Sequence, residues 1–424
     1  MILCHSSLQS IKGQHVMEAE ADYIATTVLD TYNSLPAKYK PVKATEDFFQ
    51  WVPLSGIVAV KKNEQKPRCL SLGTGMKCLP MNQVAEANGS ILHDWHAEIV
   101  AIRAFNQFLL QECLELATSP TSISPIVRRR EVHELSESEG LQPFSIHDDL
   151  RLHMYSSEAP CGDASMELLM EAQVDATPWP IEQLHPATKK LPALLRGRES
   201  FAELGIVRRK PARADSPQTL SKSCSDKLAL KQCTSLLSAC TSLLVNPGNA
   251  YLDTLILPRS QRVEHACERC FGPKGRMKPV ATHQWNGGYA FRPFTVRATE
   301  HEFAFSRRSK PESSRELRTS NIAAVCNPHV QEALILGRLQ GRQKFDPKGL
   351  SAICSKRMWG MTLQVLVMLG TPRLLHSISE SSHVQEWKKS ELFADRQRVK
   401  ADVTAEALSG WIRNDGDDFE VEPG

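Results

Sequence analysis

Up to residue 258, short β-prone runs alternate with helical segments along the chain. Apolar residues recur every three or four positions from Glu98 to Cys113, which predicts a helix of about five turns. The β-prone runs are 55–60 and 68–73, which read as a hairpin, then 150–154 and 250–258, and two further helical segments begin near Pro160 and Ser225. This alternation predicts one α/β unit, which the mostly helical segments after Gly349 extend.

The composition is that of a globular protein with a sizeable core. The chain has 424 residues, of which 41% are hydrophobic, and its formal net charge is only +3. Basic residues nevertheless cluster locally, as in 127–130, 207–213, 271–278 and 306–310. No apolar run reaches the roughly 18 residues that a membrane span needs. The chain shows no signal-peptide pattern at its start, and with its 12 cysteines it is expected in a reducing compartment, cytoplasmic or nuclear or both.

Three segments are too polar, or too rich in proline, glycine and serine, to bury much surface. They are 117–147, 259–282 and 306–320, and each is expected to form a surface insertion or loop.

Potential metal ligands stand at the starts of the predicted helices. His96 lies two positions before Glu98 in "HDWHAE", and Cys161 follows Pro160 at a second helix start, where the helix dipole favours a thiolate. Zinc accepts imidazole and thiolate ligands, and a catalytic zinc site has three protein ligands. The His-x-Glu and Pro-Cys pieces match the zinc nucleobase-deaminase signature, with Glu98 as its acid/base group. Alone, either piece is more typical of a polar helix start.

The second cysteine of that signature is absent, because Ala164 stands three positions after Cys161. The third ligand must therefore come from elsewhere, and the candidate is Cys224 in "SCSDK", again at a helix start. Another pair, Cys267 and Cys270 in "CERC", has no second pair at zinc-finger spacing and is predicted not to bind metal.

This layout resembles the adenosine deaminases acting on RNA and their tRNA-specific relatives. The motifs appear in the family's order and span residues 22 to 418, which would be one catalytic region without a double-stranded-RNA-binding domain. Residues 21–41 and "KPARADSP" resemble the tRNA branch in particular. The motifs are "LGTGMKCL" at 72–79, "DWHAEIVAIRAF" at 94–105, "SSEAPCGDASM" at 156–166, "KPARADSP" at 210–217, "SKSCSDKLAL" at 221–230 and "GWIRNDGDD" at 410–418.

The resemblance implies a cytidine-deaminase-like three-layer α/β/α core with additional C-terminal helices. It implies zinc held by His96, Cys161 and Cys224, and hydrolytic deamination of adenosine to inosine in tRNA, at adenosine 37 of alanine tRNA. Lys77 would contact an RNA phosphate. Asp215 would enter the space left by the flipped base, or it simply begins a turn before Ser216 and Pro217.

The resemblance also implies an inositol hexakisphosphate buried behind the zinc site. Asp94 and Lys210 would link this phosphate site to the zinc ligands. The positions that match its ligands are Arg103, Lys210, Lys227, Lys356, Lys388 and Trp411. The chain departs from the family's pattern at His93, Ile102, Leu230, Arg413 and Asn414.

Three other functions remain open at this point. A cytidine or free-nucleoside deaminase would use the same zinc chemistry, but those chains are short and carry a Pro-Cys-x-x-Cys motif. An adenosine deaminase acting on mRNA or another structured RNA would share every motif above. A catalytically inactive RNA-binding relative would be expected to have lost Glu98 or a metal ligand, and all four residues are present.

Overall fold

The computed structural model describes residues 3–62, 64, 66–172, 195, 197, 203–210, 216–343, 346–370, 382–414 and 417–421. Of residues 3–17 and 347 it describes the backbone alone. None of the helices in these ranges combines the length and the apolar character that a membrane crossing requires.

A mixed sheet of eight strands forms the centre of the molecule, in the order β12-β11-β10-β3-β2-β6-β7-β8. Strand β2 pairs antiparallel with β3 and β6, whereas β6, β7 and β8 are parallel. Two small sheets, β1–β9 and β4–β5, lie outside it. The strands are β1 (Phe48–Trp51), β2 (Leu54–Lys61), β3 (Arg68–Thr74), β4 (Val127–Arg129), β5 (Phe144–Ile146), β6 (Leu150–Ser156), β7 (Leu252–Pro258), β8 (Thr295–Thr299), β9 (Glu316–Thr319), β10 (Ala323–Asn327), β11 (Val330–Ile335) and β12 (Arg338–Leu339). The hairpin and the strands expected at 150–154 and 250–258 are confirmed.

Helices cover both faces of this sheet. Helix α1 packs on one face, and α2, α4 and α5 pack on the other. Outside these, α6 packs on α2 and α8 packs on α4. The described helices are α1 (Leu3–Asn33), α2 (Ala97–Thr118), α3 (Met166–Glu171), α4 (Cys224–Thr234), α5 (Glu264–Phe271), α6 (Ser355–Leu369), α7 (Val384–Trp387) and α8 (Ala394–Glu406). The predicted three-layer α/β/α fold is confirmed, and the helix expected from Glu98 is α2.

Alternation along β2 shows why both faces must be covered. Val58 packs in the core beneath α1, whereas its neighbours Ile57 and Ala59 pack in the core beneath α2. Successive side chains of a strand point to opposite faces. Because both sets are apolar and buried, each face of the sheet needs a helical layer.

The expectation of a surface loop at 259–282 is wrong for its middle part, which forms α5. Ala266, Cys267, Cys270 and Phe271 lie on one side of this short helix and are buried in the core. The charged residues between them, such as Glu268, hid this helical spacing. The segment 117–147 likewise carries β4 and β5, whose apolar residues are buried, and 306–320 carries β9, which is largely exposed.

Candidate active site

The segments that carry His96 and Cys78 run side by side beyond the end of β3. The main-chain N–H of Ala97 donates to the carbonyl oxygen of Gly75 at 2.9 Å, and Cys78 forms an antiparallel bridge with Asp94. Gly75 has φ +132°, and a Cβ at this position would lie 2.1 Å from the carbonyl oxygen of Trp95. Only glycine allows this approach, which sets His96 at the start of α2.

Cys161 and Cys224 lie on two segments that are hydrogen-bonded to each other. The main-chain N–H of Cys224 donates to Cys161 Sγ at 3.3 Å, and that of Ser225 donates to the Cys161 carbonyl oxygen at 3.0 Å. Gly162, which follows Cys161, has φ +103°, and a Cβ there would lie 2.3 Å from Ser223 Oγ. Ser223 caps α4 by accepting from the N–H of Asp226 at 3.1 Å. The chain therefore brings two cysteines 63 residues apart into direct contact.

The two thiols differ in their acidity. A hydrogen bond from the Cys224 thiol holds the pKa of Cys161 well below its usual range, and the charges of Lys210 and His96 act in the same direction. The influence of His96 on this pKa places its imidazole near the Cys161 thiol. Burial raises the pKa of Cys224, and the neighbouring Cys161 raises it further. A bound metal cation would favour the thiolate form of both.

Asp94 connects His96 to two lysines. Its Oδ1 accepts from the main-chain N–H of His96 at 3.0 Å and lies 2.8 Å from His96 Nδ1. Its Oδ2 accepts from Lys210 Nζ at 2.7 Å, from Ser221 Oγ at 3.0 Å and from Lys227 Nζ. Burial alone would raise the pKa of Asp94, but the charges of Lys210 and Lys227 outweigh it and hold the pKa well below its usual range.

The same contacts extend to a cysteine, because Lys210 Nζ also lies 3.3 Å from Cys224 Sγ. The described residues therefore contain a continuous chain of contacts from Lys227 through Asp94 and Lys210 to Cys224.

Cys78 is a site residue that the sequence analysis missed. Its Sγ lies 3.7 Å from His96 Nδ1, and ligand atoms of Cys78, Asp94 and His96 all lie within 4.8 Å of one another, close enough to hold a metal ion. The glycine-rich "GTGMKC" gave a signal for a tight turn, but nothing in it pairs this cysteine with a histidine.

Glu98 lies in the first turn of α2 and is buried. Burial raises its pKa, and the neighbouring Cys161 raises it further. A carboxyl group with a raised pKa can hold and release a proton closer to neutral pH, as acid/base catalysis requires.

Several cations lie close to one another on α2, α4 and the C-terminal segments. Arg103 Nε donates to the Ile353 carbonyl oxygen at 2.8 Å, Lys231 Nζ donates to that of Leu237 at 2.7 Å, and Arg396 donates to the same Leu237 oxygen at 2.8 Å. Burial lowers the pKa of Arg103, Lys231 and Lys388, and in Lys231 the charges of Arg396 and Lys400 add to it. All of these basic side chains are half-buried, and an anion among them would offset their mutual repulsion. The sequence analysis missed Lys231 and Arg396.

The remaining residues predicted from the family resemblance differ in their exposure and contacts. Trp411 is half-buried, with the Lys222 ammonium 5.1 Å from its ring centre, and Lys77 donates to Asn321 Oδ1. Lys356 is exposed and lines a cleft of about 1110 Å³. Asp215 lies outside the described residues.

Two departures from the family's pattern contact each other: Asn414 Nδ2 lies 3.3 Å from His93 Nδ1. On its other side, His93 Nε2 lies 2.8 Å from Asp417 Oδ2.

The Cys267 and Cys270 thiols are buried in the core, and burial raises the pKa of Cys267 to about 11.

The chain is similar in sequence to known adenosine deaminases. The family model of the adenosine-deaminase (editase) domain matches residues 71–415. The chain is 34% identical over 402 residues to tRNA-specific adenosine deaminase 1 of Schizosaccharomyces pombe, an alignment that covers 94% of this chain and 96% of that protein. It is 31% identical over 280 residues to the Saccharomyces cerevisiae protein of the same name, covering 64% of this chain and 68% of that protein. It is also 26% identical over 259 residues to the double-stranded RNA-specific editase Adar of Drosophila melanogaster, covering 58% of this chain and 34% of that protein.

Proposed function

This chain belongs to the adenosine-deaminase (editase) domain family, and from that membership we propose that it deaminates adenosine to inosine in tRNA. The observation that carries the proposal is the direct contact of Cys161 with Cys224, with His96 and the buried Glu98 close to Cys161. The tRNA-specific relative that aligns with 94% of the chain favours tRNA over mRNA as the substrate. We further propose adenosine 37 of alanine tRNA as the target, and the cytoplasm or nucleus as the location.

The side chains present fit a zinc ion. One imidazole and two thiols form a nitrogen and sulfur set that zinc accepts, and a three-ligand set is typical of catalytic zinc. Asp94 is the less suitable ligand, because both of its oxygens already accept hydrogen bonds from lysine, serine and main-chain donors. Its contact with His96 instead orients the imidazole. When bound, zinc would activate water by lowering its pKa.

Glu98 would move the protons of the reaction. Adenosine and water give inosine and ammonia, so one water proton must reach N1 of adenine and another must reach the amino group that leaves C6. The Glu98 carboxylate would accept the first proton from the attacking water and pass it to N1. It would then accept the second proton from the new C6 hydroxyl group and pass it to the amino group that leaves as ammonia. Its burial keeps bulk water away from the carboxyl group.

The target base must leave its stack to reach these residues. Adenosine 37 lies in a loop, so turning it out costs little pairing energy. Lys77, at the turn beside His96, would contact a neighbouring phosphate, and the role of Asp215 in the vacated space stays a prediction.

We propose inositol hexakisphosphate as a second cofactor, in the cation group on α2, α4 and the C-terminal segments. Arg103, Lys227 and Lys388 were expected there from the family resemblance. The half-buried Lys231 and Arg396, which both donate to the Leu237 carbonyl oxygen, add two more cations. Lys356 is exposed and is the weaker candidate.

The test is deamination of purified transcripts with the purified enzyme. Alanine tRNA should gain inosine at position 37 alone, read as guanosine on sequencing, whereas free adenosine and an mRNA hairpin should not react. Glu98→Gln should keep zinc and lose activity by about 100- to 10,000-fold, since the amide cannot shuttle the proton. An enzyme that deaminates the hairpin and leaves the tRNA unchanged would overturn the tRNA assignment. A Glu98→Gln enzyme with near-normal turnover would overturn the assignment of the proton shuttle.

A further inference from the structure

We propose that Arg269 and Arg276 are positioning residues that hold the two cysteine segments of the metal site in register. This proposal rests on the metal-dependent function proposed above. Both arginines come from α5 and the turn that follows it, a part of the chain that contributes no metal ligand. Each binds a buried aspartate that lies two residues after one of the cysteines.

Arg269 holds the segment of Cys161. Its Nε donates to Asp163 Oδ1 at 3.1 Å and to Oδ2 at 3.2 Å, and its Nη2 donates to the Asp163 carbonyl oxygen at 2.9 Å. The remaining guanidinium hydrogens reach Glu167 Oε1 at 2.5 Å and Oε2 at 3.1 Å. The Asp163 side chain has no exposed surface. A single guanidinium group therefore hydrogen-bonds one main-chain carbonyl and two carboxylates in the residues that follow Cys161.

Arg276 holds the segment of Cys224. Its Nη1 donates to Asp226 Oδ1 at 2.6 Å, and both side chains are buried. The other oxygen, Asp226 Oδ2, accepts from Ser223 Oγ at 2.6 Å and from the main-chain N–H of Arg208 at 3.0 Å. Asp226 thus joins the first turn of α4, where Cys224 lies, to the α5 unit.

The two arginines belong to one compact unit. The main-chain N–H of Arg276 donates to the Arg269 carbonyl oxygen at 2.9 Å, and Arg276 Nε donates to that of Cys270 at 3.0 Å. Gly275 makes this possible, because a Cβ there would lie 2.3 Å from the carbonyl oxygens of both Glu268 and Arg269. The spacing between the two guanidinium groups is therefore set by α5 and its closing turn.

Such an arrangement controls where the two sulfur atoms lie. Zinc demands near-tetrahedral ligands at fixed distances, and partners that orient ligands typically change metal affinity by about 10- to 100-fold when removed. Within the described residues, Arg269 and Arg276 donate to carboxylates, to main-chain oxygens and to the sulfur of Cys270, and to none of Cys161, Cys224 and Glu98. Their effect on the metal must therefore pass through Asp163 and Asp226.

Metal retention separates positioning from general stability. In Arg269→Lys and Arg276→Lys the charge remains, but the planar fork that grips two acceptors is lost. The matched control is Arg128→Lys, because Arg128 makes a similar two-bond contact with Glu134, at 2.8 and 2.7 Å, in the remote β4 region. Exposure is also similar, at 25% for Arg128 and 21% for Arg269.

The zinc-loaded proteins are mixed with excess chromogenic chelator well below their unfolding temperatures, and the rate of zinc release is followed. Cobalt(II)-substituted samples report the thiolate-to-cobalt absorption band. We expect zinc release about 10- to 100-fold faster in the Arg269 and Arg276 variants, with an altered cobalt band. The Arg128 variant should release zinc at the wild-type rate even if its Tm falls as far. Wild-type release rates and an unchanged band in both lysine variants would overturn the proposal, as would equally fast release from the control.

If loss of Arg276 prevents folding, a double variant in the Cys161 segment keeps the proposal testable. Arg269→Gln leaves the buried Asp163 carboxylate without its cation, and adding Asp163→Asn removes that charge. The double variant should recover part of the lost Tm, because Glu167 still lacks its cation, while zinc release stays fast because the link to α5 is still missing. Recovery of wild-type zinc release together with Tm would mean that Arg269 serves stability alone.

These readouts need no RNA, so an enzyme that binds zinc but fails to deaminate tRNA overturns the substrate proposal and leaves this one standing. A wild-type protein that binds neither zinc nor cobalt would overturn both.

Discussion

Asp94→Asn is expected to destabilise the protein strongly, although it changes the side chain by little volume. The carboxylate is buried and accepts from His96, Lys210, Ser221 and Lys227. An amide has no charge and a single accepting oxygen, so its NH₂ faces a donor in either orientation: the two ammonium groups or the main-chain N–H of His96. Removing one partner of a buried ion pair typically costs about 3–5 kcal/mol, and the Lys210 pair meets that condition, since both side chains are 5% exposed or less.

Lys227 adds less to this cost because it is 21% exposed and therefore better solvated. We accordingly expect a loss of about 3–5 kcal/mol in the free energy of unfolding, a large share of the roughly 5–15 kcal/mol typical of folded proteins. Urea unfolding followed by circular dichroism, with and without a chelator, measures the loss in the metal-loaded and metal-free proteins.

Asp148→Asn is the matched control, since Asp148 makes an exposed contact with Arg128 at 3.3 Å. This variant should lose less than about 1 kcal/mol. A second variant, Asp94→Asn with Lys210→Met, removes one of the stranded ammonium groups and should recover part of the loss. If Asp94→Asn costs no more than Asp148→Asn in the metal-free protein, then Asp94 is not the electrostatic centre that its contacts indicate.

Three further predictions concern the ligands, the cation group and the tight turn. Cys224→Ala should lose zinc and Cys78→Ser should retain it, as measured by metal analysis; the reverse result would favour the Cys78, Asp94 and His96 set. Lys231→Met should reduce soluble yield and the polyanion released by acid, as detected by mass spectrometry, whereas the exposed Lys356→Met should change neither; an active wild-type enzyme that releases no polyanion would refute the cofactor. Gly162→Ala should weaken zinc binding and lower Tm, because alanine resists φ +103° and its Cβ would meet Ser223; wild-type values of both would show that the turn relaxes at no cost.

The sequence predicted those elements whose own periodicity determines them. Helix α2 and the hairpin β2–β3 carry long, regular patterns, so their positions were predicted correctly. Strands β10 and β11 were not predicted. Each has at most six residues, and their pairing with each other and of β10 with β3 depends on contacts distant in the chain. Helix α5 escaped notice for a related reason, since its eight residues are too few for a periodic signal among charged neighbours.

The candidate site divides in the same way between local motifs and distant partners. His96, Cys161 and Cys224 each stand at a recognisable helix start or tight turn, and each lies two residues from an aspartate: Asp94, Asp163 and Asp226 respectively. All three carboxylates are buried and need cations. The family resemblance paired Asp94 with Lys210, but nothing in the sequence indicated the partners of Asp163 and Asp226.

The partners come from segments that only the fold brings near. Lys210 and Lys227 reach Asp94 from 116 and 133 residues away, while Arg269 reaches Asp163 from 106 and Arg276 reaches Asp226 from 50. The spacing of motifs can therefore identify the atoms that would bind zinc, because zinc chemistry restricts the residue types. It cannot identify the cations that hold those atoms in place, since any basic residue in the chain could serve and only tertiary packing selects among them.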